Sequence, residues 1–500
     1  MLLKDKFSSR SSAVLMPIFS LPSPYGIGTL GKEAKRFIDF LSEAKQSWWQ
    51  ILPLGPTSFG DSPYQSLSTF AGNPYFIDLD LLIEDGLLEE KEVKSIKWFV
   101  REDKVDYGIL YENRLALLRK AMERGFQKER AEIECFLSEN ERWLPDFALF
   151  MALKSHFGMK EWLSWDEDIR LRKPEAVERY KALLKEDIDF FIYIQYLFFK
   201  QWNEIKNYAH EKGIGIIGDL PIYVALDSVD VWSSPDSFQL DEKNVPIEVA
   251  GVPPDYFSEN GQLWGNPLYD YETMGKKGYG WWIDRIDGAA KLYDVIRIDH
   301  FRGFADYWSV GFGEKTAVNG KWVKGPGMDL IGVLKSWFPD LSFIAEDLGA
   351  HSDATDELLS DSGFPGMKVL EFAFDDSKFN SHLPHNHKEN SICYTGTHDN
   401  STLRGWLEAA DKDEIKKAEE YLGLNKKEGY VWGIIRGGMS SVAKLFVAQI
   451  QDYLELPDSA RINTPGTAEG NWTWRLTEEL TDELAKKIAK LTLIYDRRWL

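Results

Sequence analysis

The chain has 500 residues, enough for one large elaborated domain or two to three smaller ones, and for an extensive core. It is 44% hydrophobic and 28% charged, the balance of an ordinary globular protein. Its 59 basic and 80 acidic side chains leave a formal charge of −21, which opposes nucleic-acid phosphates and anionic membrane surfaces. A neutral ligand fits that field. Two Cys, Cys135 and Cys393, lie in apolar patterned segments and are expected to be buried free thiols of a reducing compartment. Lys4, Lys6 and Arg10 precede an apolar run, Ala13 to Phe19, but Pro17 breaks it and no small-residue cleavage site follows. Neither a signal peptide nor a membrane span is expected, which makes the cytoplasm the default location.

In chain order, residues 13–19 predict a buried strand, 32–46 a helix with Ala34, Phe37, Leu41 and Ala44 on one stripe, and 49–55 a second strand. Together they form a βαβ unit. Residues 81–200 are charged, Leu-rich and helical in period, most clearly over 107–125 and 131–157. Ile192, Gln195, Phe199, Trp202 and Ile205 lead another helix toward Gly213. A strand returns at 215–220. Residues 221–290 are rich in Pro, Gly, Asp and Trp with little periodicity. Further strands are expected at 294–299, 342–347, 367–372, 391–397 and 460–463.

Eight short apolar strands, mostly separated by helices, predict an α/β fold: a (β/α)8 TIM barrel with insertions. The expected division is 1–80 barrel, 81–200 mainly helical insertion, 201–222 barrel, 223–290 loop-rich insertion near the cleft, and 291–500 the barrel remainder.

Three acids stand where apolar strands give way to Gly or polar loops: Asp299, Glu346 and Asp399. A parallel barrel presents residues in such positions at its C-terminal mouth. Three acids around one pocket suit chemistry at a sugar acetal carbon. Arg297 lies two residues before Asp299, on the same side of the strand. A guanidinium there keeps a carboxylate ionised, as a nucleophile requires, although a structural ion pair reads equally well. Glu346 at an apolar strand end suits a general acid, with a helix-capping acid as the alternative. Capping is the reading for the adjacent Asp347. His398 beside Asp399 could hold two sugar hydroxyls, and His300 follows Asp299 in the reverse order. Of the 19 Trp, Trp264, Trp308, Trp472 and Trp474 sit in polar or Gly- and Pro-rich segments. As a set they fit the C–H faces of sugars, although each alone reads as core.

Two motifs point elsewhere and are set aside. Gly26-Ile27-Gly28-Thr29-Leu30-Gly31 matches a dinucleotide fingerprint, but a polar stretch separates it from the strand and no ribose-binding acid ends the next one. His382, His385 and His387 lie in a polar loop without a carboxylate triad and read as solvated.

Beyond the acids, the segments Asp61-Ser62-Pro63-Tyr64-Gln65, Gly218-Asp219-Leu220-Pro221, Arg297-Ile298-Asp299-His300-Phe301-Arg302-Gly303, Ala345-Glu346-Asp347-Leu348-Gly349, Thr397-His398-Asp399-Asn400 and Asn463-Thr464-Pro465-Gly466-Thr467 resemble those of the 4-α-glucanotransferases, glycoside hydrolase family 77 of the α-amylase superfamily. The resemblance runs from about residue 10 to the C-terminus. It implies Asp299 as nucleophile, Glu346 as general acid/base and Asp399 as transition-state stabiliser. It places Tyr64, Asp219, Arg297, His300 and His398 around the reacting sugar. Asp255, Trp264, Phe372 and Asn463 are implied as donor- and acceptor-binding residues, with loops around 250–262 and 463–469 over the cleft. Phe59 stands where some members carry a Tyr, so a secondary glucan contact there lacks its polar handle. The implied substrates are maltodextrins and amylose, with glucose as an acceptor, and no metal or organic cofactor is called for. An α-glucan hydrolase of the same superfamily and a non-catalytic glucan-binding protein are the rival readings.

Overall fold

The computed structural model describes residues 7, 9–58, 60–254, 258–349, 351–467 and 469–498. Eight strands close into a barrel: β1 (Ser11–Leu15), β2 (Trp48–Gln50), β3 (Gly215–Pro221), β6 (Val295–Asp299), β9 (Ser342–Ala345), β10 (Gly366–Val369), β11 (Ser391–Tyr394) and β12 (Leu445–Gln449). Neighbours run parallel, in the order β1-β12-β11-β10-β9-β6-β3-β2. The strands read as unbroken apolar runs because both of their faces are covered, by the barrel interior on one side and the outer helices on the other.

The expected helix at 32–46 spans Lys32–Glu43. It buries Ala34, Phe37, Ile38, Phe40 and Leu41 against the barrel and presents its charged side chains outward. Tyr107–Gly125 is helical as predicted. The 131–157 stretch is two helices, Arg130–Glu139 and Leu144–His156. A single helix of 27 residues, Lys185–Glu211, leads into β3. Its buried Gln195 exchanges two hydrogen bonds with the backbone of Gly72, and its buried Gln201 does the same with Asp78. A Cβ at Gly72 would stand 2.0 Å from the Phe198 ring, so only glycine admits this contact. The loop following β2, which carries Tyr64, is thereby fixed to the helix.

Four further strands form an antiparallel sheet in the order β5-β4-β7-β8: β4 (Glu248–Val252), β5 (Gln262–Pro267), β7 (Asp306–Gly311) and β8 (Lys321–Lys324). They belong to the connections that leave the C-terminal ends of β3 and β6, so this sheet stands at the mouth of the barrel. Among the described residues, no helix is long and apolar enough to cross a membrane.

Several sequence expectations need correction. The eighth barrel strand is Leu445–Gln449, not 460–463, where a short 3-10 turn at Asp458–Ala460 runs into loop. A fully buried run of five cannot be distinguished from a buried helix by period, and a helix follows it directly. Cys393 is buried, but Cys135 is exposed: its helix buries only Ile133, and Cys135 lies on the opposite side. Asp347 caps no helix; it accepts the Met367 N–H at 2.6 Å, joining the end of β9 to β10. Two of the three loop histidines are packed rather than solvated: His382 Nδ1 accepts from Val369 N at 3.0 Å, and His387 is buried with Nε2 on the His382 carbonyl, while His385 is exposed. In the glycine-rich loop at 26–31, the Asp78 carboxylate accepts from Thr29 Oγ1 and would lie 2.1 Å from a Cβ at Gly31. That is the wrong charge for a pyrophosphate.

Candidate active site

Strand register builds the centre. Asp219 on β3 pairs with Arg297 on β6, and Pro221 pairs with Asp299. On the other side of β6, Ile298 pairs with Ala345 of β9. Asp299 and Glu346 are the next residues of their strands, so two acids end at equal height on adjacent strands. Glu346 N donates to the Ile298 carbonyl at 3.0 Å, and Phe301 N donates to the Glu346 carbonyl at 3.0 Å. The chain turns sharply at His300, which adopts a left-handed conformation (φ 53°). Such a backbone in a non-glycine residue stores strain and is typical of functional sites. The turn aims the His300 N–H at Glu346 Oε2, 2.8 Å away, while Leu348 N donates to Oε1 at 2.7 Å.

Arg297 is buried between two carboxylates. Its Nη1 donates to both Asp219 oxygens at 2.7 Å, and its Nη2 lies 3.1 Å from Asp299 Oδ1. The Tyr64 hydroxyl donates to Asp219 Oδ2 at 2.7 Å and lies 3.4 Å from His398 Nδ1. Tyr64 and His398 stack at 5.0 Å, and Trp472 packs against both rings. Tyr64, Asp219, Arg297, Asp299, His398 and Asp399 thus form one connected network, since His398 Nε2 is 3.4 Å from Asp399 Oδ1.

Asp399 lies past the end of β11 and is held by the segment that was expected to be a strand. Asn463 Nδ2 donates to Asp399 Oδ1 at 2.6 Å, Arg461 Nη2 donates to the Asp399 carbonyl at 2.5 Å, and Asn463 N donates to the His398 carbonyl. Sequence reasoning missed Arg461. A lone Arg in a loop carries no spacing signal, and its bond to the Asp399 carbonyl spans 62 positions. It missed Glu371 as well, a carboxyl under the β11 loop that burial, with Asp452 beside it, pushes far above the usual range.

Burial raises the carboxyls of both Asp299 and Glu346, and the Arg297 guanidinium opposes the rise at both. Arg297 is in direct contact with Asp299, while Glu346 accepts from the His300 and Leu348 amides, so each carboxylate has its own stabilising partner. Burial lowers His300 to about 4, aided by Arg302, and lowers His398 too, so both imidazoles are neutral near neutral pH.

Trp264, on β5, sets its ring edge-on to His300 at 4.8 Å, joining the small sheet to the turn after Asp299. Phe372 is 43% exposed beyond β10 and rests on His382 rather than on the acids. Asp255 and Phe59 lie outside the described residues.

A family model described as 4-alpha-glucanotransferase, glycoside hydrolase family 77, matches residues 16–481. The chain belongs to this family. It is 51% identical to the 4-alpha-glucanotransferase of Clostridium butyricum, over 96% of this chain and 100% of that one. It is 44% identical to the Thermus thermophilus enzyme, over 98% and 99%. Among solved structures it resembles the amylomaltase from Streptococcus agalactiae in complex with acarbose, with a TM-score of 0.96 and 44% identity over 98% of this chain and 100% of that one. Like these glucanotransferases it is a glycosyltransferase acting on α-1,4-glucans, built on a closed eight-stranded barrel.

Proposed function

We propose that this 4-α-glucanotransferase moves an α-1,4-glucan segment to the 4-hydroxyl of glucose or of another glucan by a retaining double displacement. Asp299 is the nucleophile, Glu346 the acid and base, and Asp399 the stabiliser of the transition state. In the first step the bond from C1 to the glycosidic oxygen breaks. Glu346 gives its proton to that oxygen, and an Asp299 oxygen bonds to C1. In the second step Glu346 takes the proton of the acceptor's 4-hydroxyl, whose oxygen attacks C1, and Asp299 leaves. The observation that carries this reading is the β3-β6-β9 register, which sets Asp299 beside Glu346 with Arg297 in contact with the nucleophile alone of the two. Asp399, pinned by Asn463, would grip sugar hydroxyls harder as the ring flattens, which is differential binding of the transition state.

Tyr64, Asp219, Arg297, His300 and His398 would surround the reacting sugar. Asp255, Trp264, Phe372 and Asn463 would extend the cleft to donor and acceptor units. Maltooligosaccharides are the substrates this reading names, in keeping with the acarbose bound to the Streptococcus agalactiae relative. The helical block at 81–200 and the segment at 223–290 are read as insertions on the barrel, and the cytoplasm as its location, in keeping with two unbridged cysteines. Transfer outpaces hydrolysis when water is kept from the glycosyl-enzyme, a role this reading gives to Trp264 and the 463–469 segment.

Incubation with maltotriose tests the reaction. A ladder of longer and shorter glucans at constant total reducing ends is expected. Rising reducing ends would make the protein a hydrolase, and no product would make it a binding protein.

The pH profile tests the assignment of the acid. The proton-donating form has Asp299 ionised and Glu346 protonated, so kcat/KM is expected to fall on the alkaline side as Glu346 loses its proton. In Glu346→Gln that limb should vanish along with most of the activity. His300→Asn should leave the midpoint of the limb in place, because His300, at about 4, is already neutral there. A midpoint that moves with His300 would assign the acid to the imidazole.

A further inference from the structure

A groove of about 520 Å³ runs along the flank of the barrel, on the outer side of the helix Gly280–Leu292. That is the size of a small-ligand site. The cavity beneath Tyr64 and Asp219 touches the other side of the same helix, at Arg285, Ala289 and Leu292. Ser68 lines both, so the groove begins on the loop that carries Tyr64.

Its walls combine flat aromatic faces with carboxylates. Phe70 and Trp143 lie nearly parallel, 13° apart at 6.2 Å, and form a platform. Trp281 adds a partly open ring further along, and Trp337, at the end of the helix Met328–Trp337, is 64% exposed. Asp284 and Asp287 project from one helix into the same space. Both cations of the lining are paired: Arg142 with Asp284 at 2.6 Å, and Lys291 with Asp287 at 3.4 Å. Asp146 is held by Arg172 at 2.7 Å and the buried Asp230 by Thr69, so Glu139 and Glu141 supply the remaining negative charge of the groove. This lining repels phosphates and anionic polymers. It suits a neutral polyol, whose hydroxyls donate to carboxylates and whose C–H faces lie on aromatic rings.

We propose that this groove is a second carbohydrate site, which holds an α-1,4-glucan segment outside the catalytic cleft. The proposal rests on the glucan-transfer reading for its choice of sugar. A polymer bound on the flank stays close to the loop bearing Tyr64 between turnovers and raises the local concentration of chain ends. Short substrates cannot occupy the groove and the cleft together and gain nothing from it.

The test compares wild type, Trp337→Ala and Asp287→Ala. Both substituted side chains are exposed, so the fold should be kept. Affinity for amylopectin is read from retardation in native gels, and kinetics are read on maltotriose. Each variant is expected to bind amylopectin about three- to tenfold more weakly, the size of one aromatic or polar contact, with maltotriose kinetics unchanged. Unchanged retardation in both variants would overturn the proposal, as would a parallel loss on maltotriose. A wild type inactive on maltotriose would defeat the glucan-transfer reading instead, while the gel comparison would still decide the groove.

Discussion

Asp299→Asn is expected to lower glucan transfer from maltotriose by on the order of 10⁴-fold or more, the scale seen when a covalent nucleophile is removed. The amide has nearly the same shape but cannot form the ester to C1. The fold should survive, because Arg297 keeps both of its bonds to Asp219 and the variant removes a buried negative charge. Burial and the nearby acids oppose ionisation of Asp299, so its loss costs the folded state little. Initial rates together with thermal unfolding check this. A variant within tenfold of wild type would move the covalent chemistry to another residue. A variant that failed to fold would make Asp299 a structural anion.

Arg297→Leu should damage both folding and chemistry. The guanidinium is 4% exposed and Asp219 fully buried, so truncation strands a carboxylate inside the barrel with the Tyr64 hydroxyl as its remaining side-chain donor. Removing one partner of such a pair costs roughly 3–5 kcal/mol. The Asp299 carboxyl, without the cation that lowers it, should hold its proton to higher pH. The acid limb of the rate profile then moves toward alkaline pH, and activity falls by about 10²-fold or more. Adding Asp219→Asn to Arg297→Leu should recover much of the lost stability and little of the activity. If the double variant regained neither, Arg297 would act through packing rather than charge. If it regained both, Asp219 would be the only group that needs the cation.

These outcomes depend on features of unequal visibility in the sequence. Asp299 and Glu346 were legible because each ends an apolar run, and Asp399 because it follows one in the polar loop after β11, as expected at the open mouth of a barrel. Arg297 was legible from its two-residue spacing to Asp299. Its bond to Asp219 was not: a separation of 78 positions hides a partnership that exists because β3 and β6 are neighbours in register. The eighth strand was misplaced because Leu445–Gln449 is too short and too buried to show a period. The misread segment at 460–463 proved to hold Asp399, a role visible only through its hydrogen bonds. Cys135 was misjudged because apolar neighbours in sequence do not give a helix face its partner.

By itself, the amino-acid sequence determined the class of fold, the strand ends that bear acids and the family motifs, because hydrophobic period and local turn chemistry act over short distances. Tertiary structure alone decided the second acid that Arg297 contacts, which loop holds Asp399, the left-handed turn that aims the His300 amide at Glu346, and the groove behind the helix Gly280–Leu292. Closing a barrel brings distant residues together through strand register, and no local preference encodes that register.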